Sequence, residues 1–407
     1  MATANAISAI PREAADAEQF RTAGVLTVVS GHAVHDTYTA FLPPLLPVLI
    51  EKFSLSTSQA GLLSVFLQWP SLLQPFIGHL ADHINLRYFV ILAPAITAVA
   101  MSLLGIAPSY AVAALLLIVV GLSAAALHAV GPVTVGNLAG RNLGRGMGLW
   151  MVGGGLGYTV GPLLLVAALD VLKLEGIPWL MAGGIAASAV LYVRLRDVST
   201  YSTRFRRSQP WRLALHTMRP LLVPVLGIII VRSFMAAALS TYLPLFLRQE
   251  GGSLWLAGAS LSVYEAAGMA GALVIGSVSD RLGRRRVLAV AIGVTAPLMM
   301  AFLATRSLAQ FPILIAIGFC AMSVMPVMLA LLQENFPENR ALVSSLYMGL
   351  SFVITATATV ALGALGDRFG LRTAFTLSAV LPLLGVPLIW LLPAGRPRTD
   401  TKEPPHA

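Results

Sequence analysis

The chain has 407 residues, of which 57% are hydrophobic and 11% are charged, and its mean hydropathy is +0.82. A soluble domain carries about 25% charged residues, so this composition excludes a soluble globular protein and indicates a protein of the lipid bilayer. The net charge of +10 does not indicate nucleic-acid binding, because the arginines lie in gaps between apolar segments. The single cysteine, Cys320, excludes an intrachain disulfide and a thiolate metal cage.

Apolar segments of about 20 residues, the length that crosses a bilayer, recur along the chain after a polar N-terminal tail at 1–21. We predict an all-α membrane protein with twelve transmembrane helices in two six-helix, pseudo-symmetric bundles. The first bundle covers 22–194, a basic linker 195–220, the second bundle 221–393 and a C-terminal tail 394–407. The predicted spans are 22–50, 56–79, 88–107, 109–137, 145–169, 177–194, 221–248, 254–279, 287–305, 309–333, 341–365 and 373–393.

Basic residues predict the orientation of these spans. With the N-terminus inside, 20 of the 27 lysines and arginines fall on the inner side and 6 on the outer side. Such an excess of basic residues marks the cytoplasmic side of a membrane protein. We therefore expect a multi-pass protein of the plasma (inner) membrane with both termini in the cytoplasm. The remaining basic residue, Arg232, lies inside a span.

Two loops in equivalent places of the two halves resemble each other. Each follows the second span of its half, with a glycine where helices approach closely, an aspartate that can cap a helix, and arginines on the aqueous side. Such duplication is expected of a secondary transporter. The aspartates could clasp nearby arginines and close the cytoplasmic side, or the loops could be static turns. The candidate gating residues are Gly78, Asp82, Arg87, Gly276, Asp280, Arg281, Gly283 and Arg284.

These loops and the six-plus-six spans resemble the major facilitator superfamily over essentially the whole chain. Several runs are similar to the fosmidomycin-resistance group of efflux proteins. They are 32–36 (HAVHD), 53–55 (FSL), 73–78 (LQPFIG), His128 and 153–162 (GGGLGYTVGP). The resemblance implies proton antiport, alternating access by rocking of the bundles, and a central cavity lined by spans one, four, seven and ten.

Ionisable residues within spans are candidates for function, because a charge at the bilayer centre costs at least about 2.5 kcal/mol. His32, His35 and Asp36 share one face of the first span. A carboxylate beside histidines in a partly dry cavity can take up and release a proton near neutral pH. We predict Asp36, assisted by His32 or His35, as the proton-coupling site. The alternative is a structural polar cluster that joins span one to span four.

The second half offers Arg232 and Glu265. Glu265 could be a second protonatable site or the ion-pair partner of Arg232. Arg232 remains charged, so it could pair with Asp36 or Glu265, or anchor an anionic group of the substrate such as a carboxylate or phosphonate. Substrate contacts are also predicted, against packing or backbone hydrogen-bonding roles, for His128, Tyr38, Tyr242 and Tyr264.

The glycine run of the fifth span has a packing interpretation and a gating one. Glycines four residues apart, Gly153, Gly157 and Gly161, form a smooth face for close helix packing, and Pro162 then bends the helix. The same packing could also seal the inner half of the protein against proton leak. We therefore count Gly157, Gly161 and Pro162 among the candidate gating residues.

The sequence favours a monomeric secondary transporter that exports a small amphiphilic or anionic drug-like compound in exchange for protons. It predicts no enzymatic activity, no cofactor beyond the coupling proton, no bound metal and no nucleic-acid partner. Uptake or exchange of an anionic metabolite is the first alternative. Divalent-metal transport through His32, His35, Asp36 and His128, an intramembrane enzyme, and a receptor that does not transport are the others.

Overall fold

The computed structural model describes residues 19–81, 84–196, 211–336 and 340–393, which are helical and contain no β-strand. Asp82 of the first predicted gating loop lies outside these residues. So do most of the two predicted tails and most of the linker. The prediction of an all-α protein is confirmed over the described ranges.

The described residues of the first half form eight α-helices. A 3-10 turn precedes or follows several of them, at Trp69–Leu73, Leu104–Ile106 and Ile177–Leu180. The α-helices are α1 (Thr22–Thr39), α2 (Leu42–Phe53), α3 (Thr57–Gln68), α4 (Gln74–Ala81), α5 (Arg87–Leu103), α6 (Tyr110–Ala139), α7 (Leu143–Leu172) and α8 (Met181–Leu195). Ser109 caps α6 by accepting a hydrogen bond from the Val112 N–H, and Gly140, with φ +53°, ends it.

In the second half, the residues that the structure describes also form eight α-helices, with 3-10 turns at Ser307–Ala309 and Leu381–Leu384. They are α9 (Trp211–Ala237), α10 (Leu243–Gln249), α11 (Leu254–Leu282), α12 (Arg284–Ala304), α13 (Gln310–Asn335), α14 (Arg340–Phe369), α15 (Leu371–Val380) and α16 (Gly385–Trp390). A π-helical turn, Ala238–Tyr242, separates α9 from α10. Pro244 follows two residues after this turn and has no N–H to continue an α-helical hydrogen-bond ladder.

Eleven helical segments of the described chain are long and apolar enough to cross a membrane, and they match the second to twelfth predicted spans. The first predicted span is not among them, for two physical reasons. The chain interrupts it at Ala40 and Phe41, so that α1 and α2 are separate helices. In addition, α1 carries three polar side chains that lower its hydropathy, namely His32, His35 and Asp36. These three side chains are thus the main reason why the first predicted span is less apolar than the others.

By its internal contacts the chain divides into two compact units. Unit 1 comprises 1–45 and 66–206, and unit 2 comprises 46–65 and 207–407. The core of unit 1 includes Val25, Val28, Leu127, Val130 and Trp150. The core of unit 2 includes Tyr242, Phe246, Phe302, Leu362 and Phe375. The division into two six-helix bundles at the linker stays a prediction.

In unit 1, α1 packs closely along the glycine-rich face of α7. A Cβ added to Gly153 would lie 2.8 Å from the Val29 carbonyl oxygen, and one added to Gly157 would lie 2.6 Å from that of Ala33. Neither distance is tolerable for a carbon against backbone, so these positions require glycine for the two helices to touch. The packing interpretation of the glycine run is confirmed. Its role in gating, shared with Gly161 and Pro162, stays a prediction.

Candidate functional site

The predicted polar face of α1 is buried in unit 1. His32, His35 and Asp36 are 3%, 0% and 2% exposed, although the helix around them consists mainly of small and apolar residues. Helical spacing explains why they meet, since positions i, i+3 and i+4 lie on one side of a helix. A charged side chain can be buried in this way only if neighbouring side chains pair with it or form hydrogen bonds to it.

Asp36 is compensated by imidazoles on two sides. Its Oδ2 lies 3.0 Å from Nε2 of His32, and its Oδ1 lies 2.9 Å from Nδ1 of His35. His128 approaches from α6, with Nε2 3.3 Å from Nε2 of His32 and 3.8 Å from Oδ1 of Asp36. The structure therefore joins all four predicted ionisable residues of the first half into one group, which we call the α1–α6 cluster: His32, His35, Asp36 and His128.

Two residues of α7, Trp150 and Gly154, complete the surroundings of the cluster. The ring of Trp150 stacks on His32 with centroids 3.6 Å apart and an angle of 13° between the planes, and its carbonyl oxygen lies 3.1 Å from Nδ1 of His32. A Cβ on Gly154 would lie 2.7 Å from Cε1 of His32 and 2.9 Å from Oδ2 of Asp36. Sequence reasoning did not identify Trp150; its spacing of four from Gly154 was the available signal.

Three atoms of the cluster could also hold a metal ion. His32, Asp36 and His128 each offer one nitrogen or oxygen, and these atoms lie within 4.8 Å of one another. Two imidazoles and a carboxylate are a chemically suitable ligand set for a transition metal. Transport of a divalent metal through these residues therefore remains an alternative that is compatible with the structure.

Glu265 and Arg232 lie in unit 2 and do not form an ion pair with each other. Glu265 is 8% exposed, and no basic side chain among the described residues lies within ion-pair distance of its carboxylate. Arg232 lines a cavity of about 120 Å³ together with Tyr264 and Thr295. Three thioether side chains, Met235, Met322 and Met325, give this cavity an apolar wall. Among the described residues, no carboxylate lies within ion-pair distance of Arg232, which borders this cavity.

The three predicted substrate-contacting tyrosines have different surroundings. Tyr264 lines the Arg232 cavity. The Tyr38 hydroxyl donates to the carbonyl of Leu180, and the fully buried Tyr242 donates to that of Thr359 at 2.9 Å. Contact with a substrate stays a prediction for all three, and the geometry favours Tyr264.

The second predicted gating loop is held by Arg284. Its guanidinium forms ion pairs with Asp280 and, at 2.8 Å, with Glu334 at the end of α13, and it also donates to the carbonyl of Gly276 at 3.1 Å. Gly283 adopts φ +91°, a backbone conformation that favours glycine. Arg281 is exposed. In the first loop Arg87 donates to the carbonyl of Arg196, and a Cβ on Gly78 would meet no atom within 4 Å. Gating by either loop stays a prediction.

Comparisons with known proteins agree on one family. The family model described as Major Facilitator Superfamily matches residues 28–346 and 256–407. The chain is 27% identical over 388 residues to the fosmidomycin resistance protein of Escherichia coli (strain K12), covering 93% of this chain and 95% of that protein. It is 26% identical over 376 residues to an uncharacterized MFS-type transporter of Bacillus subtilis (strain 168), covering 90% and 91% respectively.

A solved structure of low sequence identity shares the fold. It is a bacterial homolog of the human lysosomal transporter Spinster, with a TM-score of 0.78 and 16% identity. The match covers 92% of this chain and 97% of that one. The similarity therefore extends over nearly all of both chains and concerns the arrangement of the helices.

Proposed function

This chain belongs to the Major Facilitator Superfamily of membrane transporters, and from that premise we propose that it exports a small amphiphilic or anionic compound in exchange for protons. The α1–α6 cluster is the observation that carries the proposal. Asp36 and three imidazoles are brought together in unit 1, on a helix that would otherwise be an ordinary apolar span. We place proton coupling at Asp36, assisted by His32 or His35.

Burial makes the cluster sensitive to protons. A carboxylate removed from water is stabilised by a neighbouring imidazolium, and either group changes its charge when a proton arrives or leaves. Changing the net charge of a buried group by one unit is expensive in a membrane, so each protonation state favours a different arrangement of the surrounding helices. Because the arrangement of the helices depends on protonation, alternating access can couple the movement of protons to the movement of the substrate. Glu265, buried without an ion-pair partner in the described part of unit 2, is proposed as a second proton site.

The lining of the Arg232 cavity supports the proposal that the substrate is anionic or amphiphilic. A guanidinium binds carboxylate or phosphonate oxygens through paired hydrogen bonds, and the methionines and Tyr264 offer an apolar surface beside it. The E. coli relative is named for fosmidomycin resistance, which makes fosmidomycin the first compound to test. Uptake or exchange of an anionic metabolite is the second candidate, favoured by the same arginine.

Members of this family carry small molecules across membranes and are not enzymes in general. We propose that this chain has no enzymatic activity and works as a monomer without a bound cofactor. We further propose that it lies in the inner membrane with both termini in the cytoplasm, as the distribution of basic residues indicates. A receptor without transport would bind the compound but produce no flux.

The experiment reconstitutes the protein in liposomes that contain a pH-sensitive dye. Fosmidomycin is added to wild type, to Asp36→Asn and to the control His79→Gln, which changes an exposed histidine outside the cluster. We expect compound-dependent proton movement in wild type and the control, and none in Asp36→Asn. Flux of labelled compound without proton movement in wild type would contradict antiport. Unchanged proton movement in Asp36→Asn would remove Asp36 from the coupling site.

A further inference from the structure

Two backbone carbonyls determine which nitrogen of His32 and of His128 carries hydrogen. Nδ1 of His32 lies 3.1 Å from the Trp150 carbonyl oxygen, and Nδ1 of His128 lies 2.8 Å from that of Ala124. A carbonyl oxygen only accepts hydrogen bonds, so both Nδ1 atoms must be donors. In its neutral form, each ring then presents a bare lone pair at Nε2.

These two Nε2 atoms face each other and the same carboxylate. They are 3.3 Å apart, and Nε2 of His32 is 3.0 Å from Oδ2 of Asp36. With both rings neutral and Asp36 ionised, three lone-pair acceptors would converge and no hydrogen would lie among them. A proton on the carboxyl group would satisfy its contact with His32 but leave the two ring nitrogens opposed. A proton on Nε2 of His32 can be shared between Oδ2 of Asp36 and Nε2 of His128, so that neither contact is left without a hydrogen.

His35 is not the holder of this additional proton. Its Nδ1 lies 2.9 Å from Oδ1 of Asp36 and donates to it, whereas its Nε2 is buried and has no hydrogen-bond partner among the described residues. A cationic ring would place a charged N–H at that position without an acceptor, which is costly. The neutral ring leaves only a lone pair there. His35 is therefore a neutral donor that helps to keep Asp36 ionised.

Among the described residues, no further charged side chain lies within ion-pair distance of the cluster. Helices α5, α6, α7 and α8 pack on α1. Of these, α6 brings His128, and α7 brings the ring and carbonyl of Trp150. Within the described ranges, α5 and α8 place no charged side chain within hydrogen-bonding distance of Asp36 or His32. One additional proton thus makes the cluster neutral, with one carboxylate and one imidazolium.

We propose that the exchangeable proton is held on Nε2 of His32, where it is shared with Nε2 of His128 and with Asp36, while Asp36 stays ionised as the counter-charge and Trp150 positions His32. This inference rests on the proposed proton coupling and moves the site of the proton from the carboxyl group to the imidazole pair. His128 is the ring that exchanges the proton with water, because its side chain is 31% exposed whereas those of His32 and Asp36 are 4% and 2% exposed.

Release of this proton changes the contact between α1 and α6. The opposed lone pairs and the carboxylate then repel one another, so the closely packed arrangement is stable only while the proton is bound. An imidazole on each helix thereby makes the separation of two transmembrane helices dependent on the proton. This gives the proton a direct effect on conformation at a named pair of atoms.

The test reads the protonation states directly, in the absence of substrate and of any gradient. The protein, purified without a histidine tag and labelled with ¹⁵N-histidine and ¹³C-aspartate, is placed in lipid nanodiscs and studied by NMR at neutral pH. Within the α1–α6 cluster we expect one charged imidazole, with hydrogen on both nitrogens, and an ionised Asp36. The charged signal should disappear in His128→Gln and in Asp36→Asn and persist in His79→Gln.

Neutral histidines throughout the wild-type cluster would overturn the inference, whether Asp36 is then protonated or ionised. Wild type alone decides this, so misfolding of a variant does not leave the question open. The result is also independent of the proposed function. A charged imidazole in the cluster without substrate-dependent proton movement would support this inference and contradict antiport. Coupled transport with neutral rings would support antiport and contradict this inference.

Discussion

At the scale of single residues, the two units carry charged sites with different chemistry. In unit 1, Asp36 is surrounded by imidazoles that can share a proton. In unit 2, Arg232 brings the permanent charge of a guanidinium to the lining of a cavity. A charge that can be neutralised suits coupling to protons, and a permanent charge suits recognition of an anion. The two sites are therefore expected to fail in different ways when they are mutated.

Replacement of Arg232 tests the recognition role. Hydrogen bonds to charged groups contribute about 1.5–3 kcal/mol, so Arg232→Gln should weaken binding of an anionic compound about ten- to hundredfold. A neutral analogue of the same compound should bind as it does to wild type. Binding is measured by calorimetry on protein in nanodiscs. Arg306→Gln is the control, because Arg306 has an 81% exposed side chain and lies outside the cavity. Equal loss for both compounds would show that Arg232 has a structural role.

The residues of the first site could be found from the sequence, whereas their arrangement could not. His32, His35, Asp36 and His128 were identifiable because ionisable side chains are costly in an apolar span. The stacking of Trp150 on His32 depends on where α7 lies against α1, and aromatic side chains are common in spans for other reasons. The state of each imidazole depends on backbone carbonyls of Trp150 and Ala124, which no sequence pattern marks.

At the scale of helices, the contact between α1 and α7 sets the geometry of the cluster. Glycines on α7 allow the backbone of α1 to approach, and Gly154 lies directly behind the His32–Asp36 pair. The periodicity of the run was sufficient to predict close packing. It did not reveal that the partner is the polar helix α1. The interruption of the first span at Ala40 and Phe41 also escaped prediction, since apolar residues continue through it.

Enlarging one of these glycines should damage both packing and coupling. In Gly157→Ala the added methyl group would lie 2.6 Å from the Ala33 carbonyl oxygen and 2.7 Å from Cβ of Asp36. Overpacking of this kind costs about 1–3 kcal/mol. We expect a lower thermal unfolding temperature and weaker compound-dependent proton movement in the liposome assay.

The matched control lies on the same helix. A Cβ at Gly148 would meet no atom within 4 Å, so Gly148→Ala changes helix propensity without a clash. Because alanine favours a helix by about 1 kcal/mol over glycine, this variant should be as stable as wild type or more stable. A Gly157→Ala protein that unfolds and transports like Gly148→Ala would show that the close contact has no importance.

At the scale of the whole molecule, the chain is a helical membrane transporter with compact units that carry the two kinds of charged site. The approximate boundaries of the second to twelfth predicted spans followed from hydropathy, because a bilayer imposes a length on every helix that crosses it. The composition of unit 2 did not follow from sequence order, since residues 46–65 join it through contacts that hydropathy does not encode. The identity of the substrate and the direction of transport depend on the movements of compound and proton across the membrane, so they require a transport measurement.

The most direct test of coupled export is accumulation of labelled fosmidomycin in proteoliposomes under an imposed pH gradient. With an acidic interior, protons leaving through the transporter should drive the compound inwards above its external concentration. Reversing the gradient, or collapsing it with a protonophore, should abolish accumulation, and Asp36→Asn should show none under any gradient. Accumulation that follows the opposite gradient, or that is independent of the gradient, would contradict proton antiport.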